Sequence, residues 1–128
     1  MKIVLTGHKG FIGSHYYDYV KNTDDVIAYD QKDGNDKDLK HSSVTSTMPK
    51  CNTVVHLAAT NGTRLFYENP TDVCINNTLP TINLIERYRN TDTKFVFAST
   101  CEIFNGAIDE GYYPIQLMSK YQLCLKTY

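Results

Sequence analysis

Glycines 7, 10 and 13 stand directly behind the apolar run KIVLT (2–6) and at the head of FIGSHYYDYVKN, a stretch with helical length and spacing. Glycines spaced G-x-x-G-x-x-G at that junction restrict the chain to a strand, a tight turn and a helix, because such a turn leaves no room for side chains. A second apolar run, DVIAYD (25–30), completes a strand–helix–strand unit within thirty residues. Parallel strands joined in this way need a right-handed crossover, so the opening of the chain already implies a sheet with helices on its faces.

The remaining segments continue the pattern. NTVVHLAA (52–59) and KFVFAST (94–100) read as strands, and a long helix is expected from Thr71 to about Asn90, with Val73, Ile75, Leu79, Ile82, Leu84 and Ile85 as its buried stripe. A last helix is expected over 115–127. The polar stretch from Gln31 to Lys50 offers a two- or three-residue strand near Asp38-Leu39 and a helical turn or two after Ser42. NGTRLFYENP, with its Asn-Gly and Asn-Pro breakers, reads as a loop. The expectation is one domain over residues 1–128, an α/β, doubly wound parallel sheet of the Rossmann type with strand order 3-2-1-4-5 and ligands at the carboxyl ends of its strands.

Composition narrows the function. A chain of 128 residues can bury a core without disulfides or a metal, and it contains no run of about 18 apolar residues to cross a bilayer. The first apolar run ends too soon for a signal peptide, so the N-terminus is expected to be structural and intact. A net charge of -1 with scattered basic residues argues for a small-molecule or protein partner, with no nucleic acid and no membrane. Cys51, Cys74, Cys101 and Cys124 form no CxxC pair and meet no histidine at zinc-ligand spacing. Free thiols in a reducing cytoplasm, and no metal site, are the expectation.

The glycine turn has its own chemistry. A side chain at Gly7 or Gly10 would keep a pyrophosphate from the helix N-terminus, whose free N–H groups and partial positive charge favour it. Asp30 ends the second strand 23 residues beyond Gly7, where a carboxylate can accept hydrogen bonds from the ribose hydroxyls of an adenosine. A carboxylate there repels a 2'-phosphate and so favours NAD over NADP, and Lys9 in the turn works against that preference.

The stretches TGHKGFIGSH, VVHLAAT, NNTLPTINLIE, FVFASTCEIF and the Ser-Lys pair at 119–120 occur in the order found in a known family. From Met1 to about Lys120 the chain resembles the extended short-chain dehydrogenase/reductases, the NAD-dependent sugar-nucleotide epimerases and dehydratases. The resemblance implies a cofactor site of Gly7, Lys9, Gly10, Phe11, Ile12 and Gly13 with Asp30. It also implies that Leu57, Ala58 and Ala59 are the backbone against which the cofactor passes, that Asn77 is a structural asparagine of the long helix, and that Asp38-Leu39 is the pair touching adenine. The helices at 71–90 and 115–127 correspond to the family's subunit interface, which implies a homodimer.

For chemistry the resemblance implies a Ser/Thr at the end of the fifth strand and Tyr-x-x-x-Lys on the next helix, with tyrosine and lysine on one helical face. Thr100 fits the first place and Lys120 the lysine, which would also hold the nicotinamide ribose. Four residues before Lys120 stands Gln116, which can hydrogen-bond a sugar but cannot carry a transferable negative charge near neutral pH. Tyr112 and Tyr113 lie upstream across Pro114 without helical register to Lys120. In STCE, Glu102 matches a base of the dehydratase and decarboxylase branches, and Cys101 stands where some 4,6-dehydratases carry an acid. Family enzymes are about twice as long, so the C-terminal substrate lobe is expected to be missing. Three readings stay open: a reduced epimerase/dehydratase-like enzyme using NAD on a nucleotide sugar through Thr100, Glu102 and Lys120; a non-catalytic nucleotide-binding or regulatory module; and one half of a split enzyme.

Overall fold

The computed structural model describes residues 1–99. In it the N-terminal apolar run forms β1 (Lys2–Thr6), which lies between β2 (Asp25–Tyr29) and β3 (Thr53–His56), with β4 (Lys94–Phe97) beyond β3. All three pairings are parallel, and the register sets Val4 between Ile27 and Val54, with Phe95 next in line. Alternation along the strands then sorts the core into two layers. Val4, Tyr29, Val54 and Phe95 face one side, where Leu39, Met48, Leu84 and Tyr88 close the cluster. Ile3, Leu5 and Val55 face the other, against Val20, Tyr16 and Tyr17 of α1 (Phe11–Val20). Helices on both faces of a parallel sheet make the doubly wound arrangement expected from the sequence.

The third strand of the expected five-strand order does not form, and the observed order is β2-β1-β3-β4. The residues after β2 close local turns instead. Asp30 Oδ1 accepts from Lys32 N, Asp38 Oδ1 accepts from Lys40 N, and Gly34, at φ +135°, joins two short 3-10 turns. Aspartates that bond their own neighbouring amides offer the backbone an alternative to a strand ladder. The turn after Ser42 is helical, as α2 (Ser42–Ser46). The stretch read as a loop contains α3 (Thr63–Glu68), which starts after Gly62 and carries an Arg64–Glu68 ion pair at 3.2 Å.

Helix α4 (Pro70–Tyr88) opens on a proline at its first position, where the missing N–H has no intrahelical partner to lose. Its buried face is Val73, Pro80, Leu84 and Tyr88, at steps of seven, four and four. Of the expected stripe, Ile75, Leu79, Ile82 and Ile85 are instead 46%, 37%, 53% and 38% exposed. Two apolar stripes are interleaved on this helix, and only the one containing Val73 and Leu84 meets the sheet.

Leu84 is fully buried in the larger cluster. Leu84→Ala is expected to cost about 3 kcal/mol, and the same truncation at the half-exposed Ile82 less than about 1 kcal/mol; urea unfolding of the two variants measures the difference.

Candidate functional site

The carboxyl ends of β1, β2 and β3 open into one cleft at the place where the chain, having passed from β1 to β2, crosses back to the other side of β1. That reversal leaves a crevice above the sheet, because the two crossovers diverge. About 650 Å3 of empty space lies in it, open to solvent. Gly7 and Gly10 contribute the β1–α1 turn to its wall, Asp30 the end of β2, Asp38 and Leu39 the polar connection, and Leu57, Ala58 and Ala59 the end of β3.

The turn is packed too closely for side chains. Gly7 has φ +76°, its N–H donates to the Tyr29 carbonyl at 2.8 Å, and a Cβ there would fall 2.6 Å from the amide nitrogen of Ala58. A Cβ on Gly13 would fall 2.0 Å from the Gly7 carbonyl oxygen. The first turn of α1 therefore lies directly on the glycine turn. No side chain caps α1 and no acidic residue occupies its first turn, so the amides of Phe11, Ile12 and Gly13 lack intrahelical acceptors and carry the positive end of the helix dipole. The side chains of Phe11 and Ile12 are exposed and, like Gly13, lie outside the cleft wall.

Asp30 is buried at 8% exposure, with Oδ2 accepting from Lys9 N at 2.9 Å and Oδ1 from Lys32 N at 3.0 Å. The Lys9 ammonium pairs with Asp33, whose carboxyl it holds below the usual carboxylate range, and His8 Nε2 lies 3.4 Å from the same carboxylate. Asp38 also faces its own neighbour, since Lys40 Nζ lies 3.5 Å from Oδ2 and donates to Asn76 Oδ1 at 2.9 Å. Thr100, Glu102, Gln116, Lys120 and the helix expected at 115–127 lie outside the described residues.

Several wall residues escaped sequence reading. Asn76, Thr60 and Lys40 line the cleft; Thr60 follows Ala59 in the same loop, whereas nothing local marks Lys40 and Asn76 as neighbours. Asn77, one residue on, clasps that loop: its Oδ1 accepts from Thr60 N at 2.6 Å and its Nδ2 donates to Thr60 O at 3.0 Å. The missed residue with the widest reach is His56, 2% exposed at the end of β3. A histidine inside the apolar run VVHLAA was the available signal, since a buried imidazole needs partners for both nitrogens.

Those partners can be assigned in order. The Thr81 hydroxyl donates to Asn77 O at 2.9 Å, so its oxygen receives the His56 Nε2–H at 3.0 Å. Nδ1 is then the acceptor, and the Thr6 hydroxyl donates to it at 2.6 Å, while Thr6 Oγ1 accepts from Ala58 N at 3.3 Å. The relay ties β1, β3 and α4 to the loop that lines the cleft, and it works only with a neutral ring.

A parallel sheet whose glycine turn, uncapped helix N-terminus and strand-end carboxylate converge above its switch point defines a Rossmann-type domain. The model of the NAD dependent epimerase/dehydratase family matches residues 3–124, and the chain belongs to that family. A putative UDP-glucose 4-epimerase of Methanocaldococcus jannaschii is 34% identical over 94% of this chain and 46% of its own length. Among solved structures, a UDP-galactose 4-epimerase is 30% identical, with a TM-score of 0.69 over 89% of this chain and 45% of that one. A UDP-glucose 4-epimerase of Thermus thermophilus, solved in complex with NAD, is 27% identical, with a TM-score of 0.65 over 78% of this chain and 38% of that one. The chain thus spans less than half the length of these proteins.

Burial moves the His56 pKa down to about 4. Between about pH 6.5, the ordinary histidine value, and pH 4 the unfolded chain binds a proton that the folded one refuses, so stability falls as pH falls through that window. The expected loss is about 3 kcal/mol, read from denaturation midpoints at a series of pH values. His56→Gln, which cannot titrate, should flatten the profile; an unchanged slope would remove His56 as its cause.

Proposed function

We propose that this chain binds NAD in the cleft above β1, β2 and β3, as a protein of the epimerase/dehydratase type related to enzymes acting on nucleotide sugars. The observation that carries this reading is the convergence of the Gly7–Gly10 turn, in which Gly10 is the N-cap of α1, with Asp30 on one open cleft. The residues fit a dinucleotide. The first turn of α1 leaves the amides of Phe11, Ile12 and Gly13 uncapped for a pyrophosphate, and each oxygen of Asp30, after accepting one amide, retains a lone pair for a ribose hydroxyl. NAD over NADP follows from the same carboxylate, supported by the engagement of the Lys9 ammonium with Asp33. Asp38 and Leu39 would meet the adenine, and Leu57, Ala58 and Ala59 would flank the remainder of the cofactor.

Bound NAD would supply reversible uptake of a hydride. The chain's own part would be to orient a sugar hydroxyl with Thr100, to hold the nicotinamide ribose with Lys120, and to offer Glu102 as a base. Gln116 stands where a proton carrier is needed, and this favours binding without unaided turnover. The names of similar proteins support a nucleotide sugar as the partner molecule, whether this chain or a separate second chain supplies the remaining lobe. We further place the chain in the cytoplasm as a single domain and a homodimer through helices 71–90 and 115–127. The free thiols of Cys51 and Cys74 and the exposed Ile75, Leu79, Ile82 and Ile85 support these assignments. Among the described residues no helix is long and apolar enough to cross a membrane.

Calorimetric titration tests the reading. NAD is expected to bind at least about tenfold more tightly than NADP, and Asp30→Ala to lose about tenfold in NAD affinity together with the discrimination. Absence of binding by either dinucleotide overturns it. Incubation with UDP- and dTDP-hexoses should yield no epimerised or keto product from the wild-type chain, and Gln116→Tyr should yield some; turnover by the wild type would make the chain an enzyme in its own right. Sedimentation at micromolar concentration should give a dimer, and a monomer would refute the interface.

A further inference from the structure

The connection from β2 to β3 adds no strand to the sheet, yet it brings Asp38, Leu39 and Lys40 to the cleft wall. The bonds that hold it there come from α4. Asn83 Nδ2 donates to the carbonyl oxygens of Leu39 at 2.9 Å and Lys40 at 3.0 Å, so the two hydrogens of one amide close on consecutive peptides. Asn76 receives the Lys40 ammonium. Further along, Arg87 Nε donates to Met48 O at 3.0 Å and the Tyr88 hydroxyl to Pro49 O at 2.9 Å. Residues 76, 83 and 87 are seven and four apart and share one helical face. That side of the helix meets a strandless segment with side-chain donors in the place of a ladder of backbone amides.

We propose that Asn83 is a positioning residue for the purine end of a bound dinucleotide: it pins the Leu39 and Lys40 peptides so that the Asp38–Lys40 rim becomes a base-selective edge. The inference rests on the dinucleotide reading above and adds a specificity device to it. A pinned rim keeps the Asp38 carboxylate at one place on the wall: Oδ1 accepts from Lys40 N, the Lys40 ammonium is taken up by Asn76 and Asp38 Oδ2, and the carboxylate's remaining lone pairs stay as acceptors. A purine bearing a 6-amino donor is matched there, and one bearing a 6-oxo acceptor is opposed. An unpinned rim would move with the ligand and lose that choice. Without Asn83, two carbonyl oxygens also lose their donor, and the rim is free to turn them towards water.

The test compares NAD with nicotinamide hypoxanthine dinucleotide on the full chain, by calorimetry, in the wild type, Asn83→Ala and Asn83→Gln. The wild type should prefer NAD. Asn83→Ala should weaken NAD by about tenfold while changing the hypoxanthine analogue little, and the longer amide of Asn83→Gln should restore part of the preference. Amide hydrogen exchange at residues 38–41 should accelerate in Asn83→Ala while β1 and β3 stay protected. An equal loss for both dinucleotides, or an unchanged ratio, overturns the proposal. Should the alanine variant not fold, Asn83→Ser, too short to reach both carbonyls, carries the same comparison. If the wild type binds neither dinucleotide, the cofactor reading falls; unchanged exchange at 38–41 would then overturn the clamp separately.

Discussion

The Gly7 backbone lies against the peptide joining Leu57 to Ala58, and every other feature of the cleft is arranged around that approach. With a Cβ at Gly7 only 2.6 Å from Ala58 N, no other residue keeps β1 and β3 turning outward at the same height. Gly13 extends the constraint to the helix, because its missing side chain lets the first turn of α1 sit on the Gly7 carbonyl. The three glycines thus set the distance from the sheet to the helix N-terminus, and with it the position of the uncapped amides relative to Asp30. Glycine at these places costs conformational entropy in folding; close contact of backbone with backbone is what it makes available.

Polar groups inside the sheet then fasten the loop that the glycines admit. His56 and Thr6 sit side by side on adjacent parallel strands, in register, and their hydrogen bond continues to Thr81 and the backbone of α4 on one side and to Ala58 on the other. A network in which each donor meets an acceptor rigidifies its surroundings, and one missing member leaves a buried group unsatisfied. Helix α4 is consequently more than a cover for the core. It holds the end of β3 through Thr81 and Asn77, and the connection after β2 through Asn76, Asn83 and Arg87. Both walls of the cleft opposite the glycine turn depend on it.

Sequence reading was strongest where one physical signal dominated. β1, α1, β2, β3 and β4 were legible because apolar runs of strand length alternate with breakers, and parallel strands require crossovers. It was weakest where local and tertiary demands competed. At Asp38-Leu39 a weak strand lost to aspartates that bond their own amides; at Thr63–Glu68 a helix formed between two breakers that, read alone, suggested a loop. In α4 the expected stripe held only Val73 and Leu84 of the buried face; it mixed in the exposed Ile75, Leu79, Ile82 and Ile85 and left out Pro80 and Tyr88, which only docking on the sheet chose. Gly7, Gly10, Asp30 and Leu57 to Ala59 could be named as wall residues because each lies in the short segment that follows a strand. The wall residues Lys40 and Asn76 could not, nor could Asn83, which holds the rim from behind, since these contacts span 36 to 44 residues.

The sequence by itself determined the class of fold and the turn at its centre, because glycine spacing and strand periodicity are local properties that need no partner to be read. Tertiary structure alone decided which face of α4 is buried, which tautomer His56 adopts, and how a segment without a strand is held at the cleft. Those outcomes depend on which donor meets which acceptor after the sheet has closed, and no spacing along the chain encodes that distance.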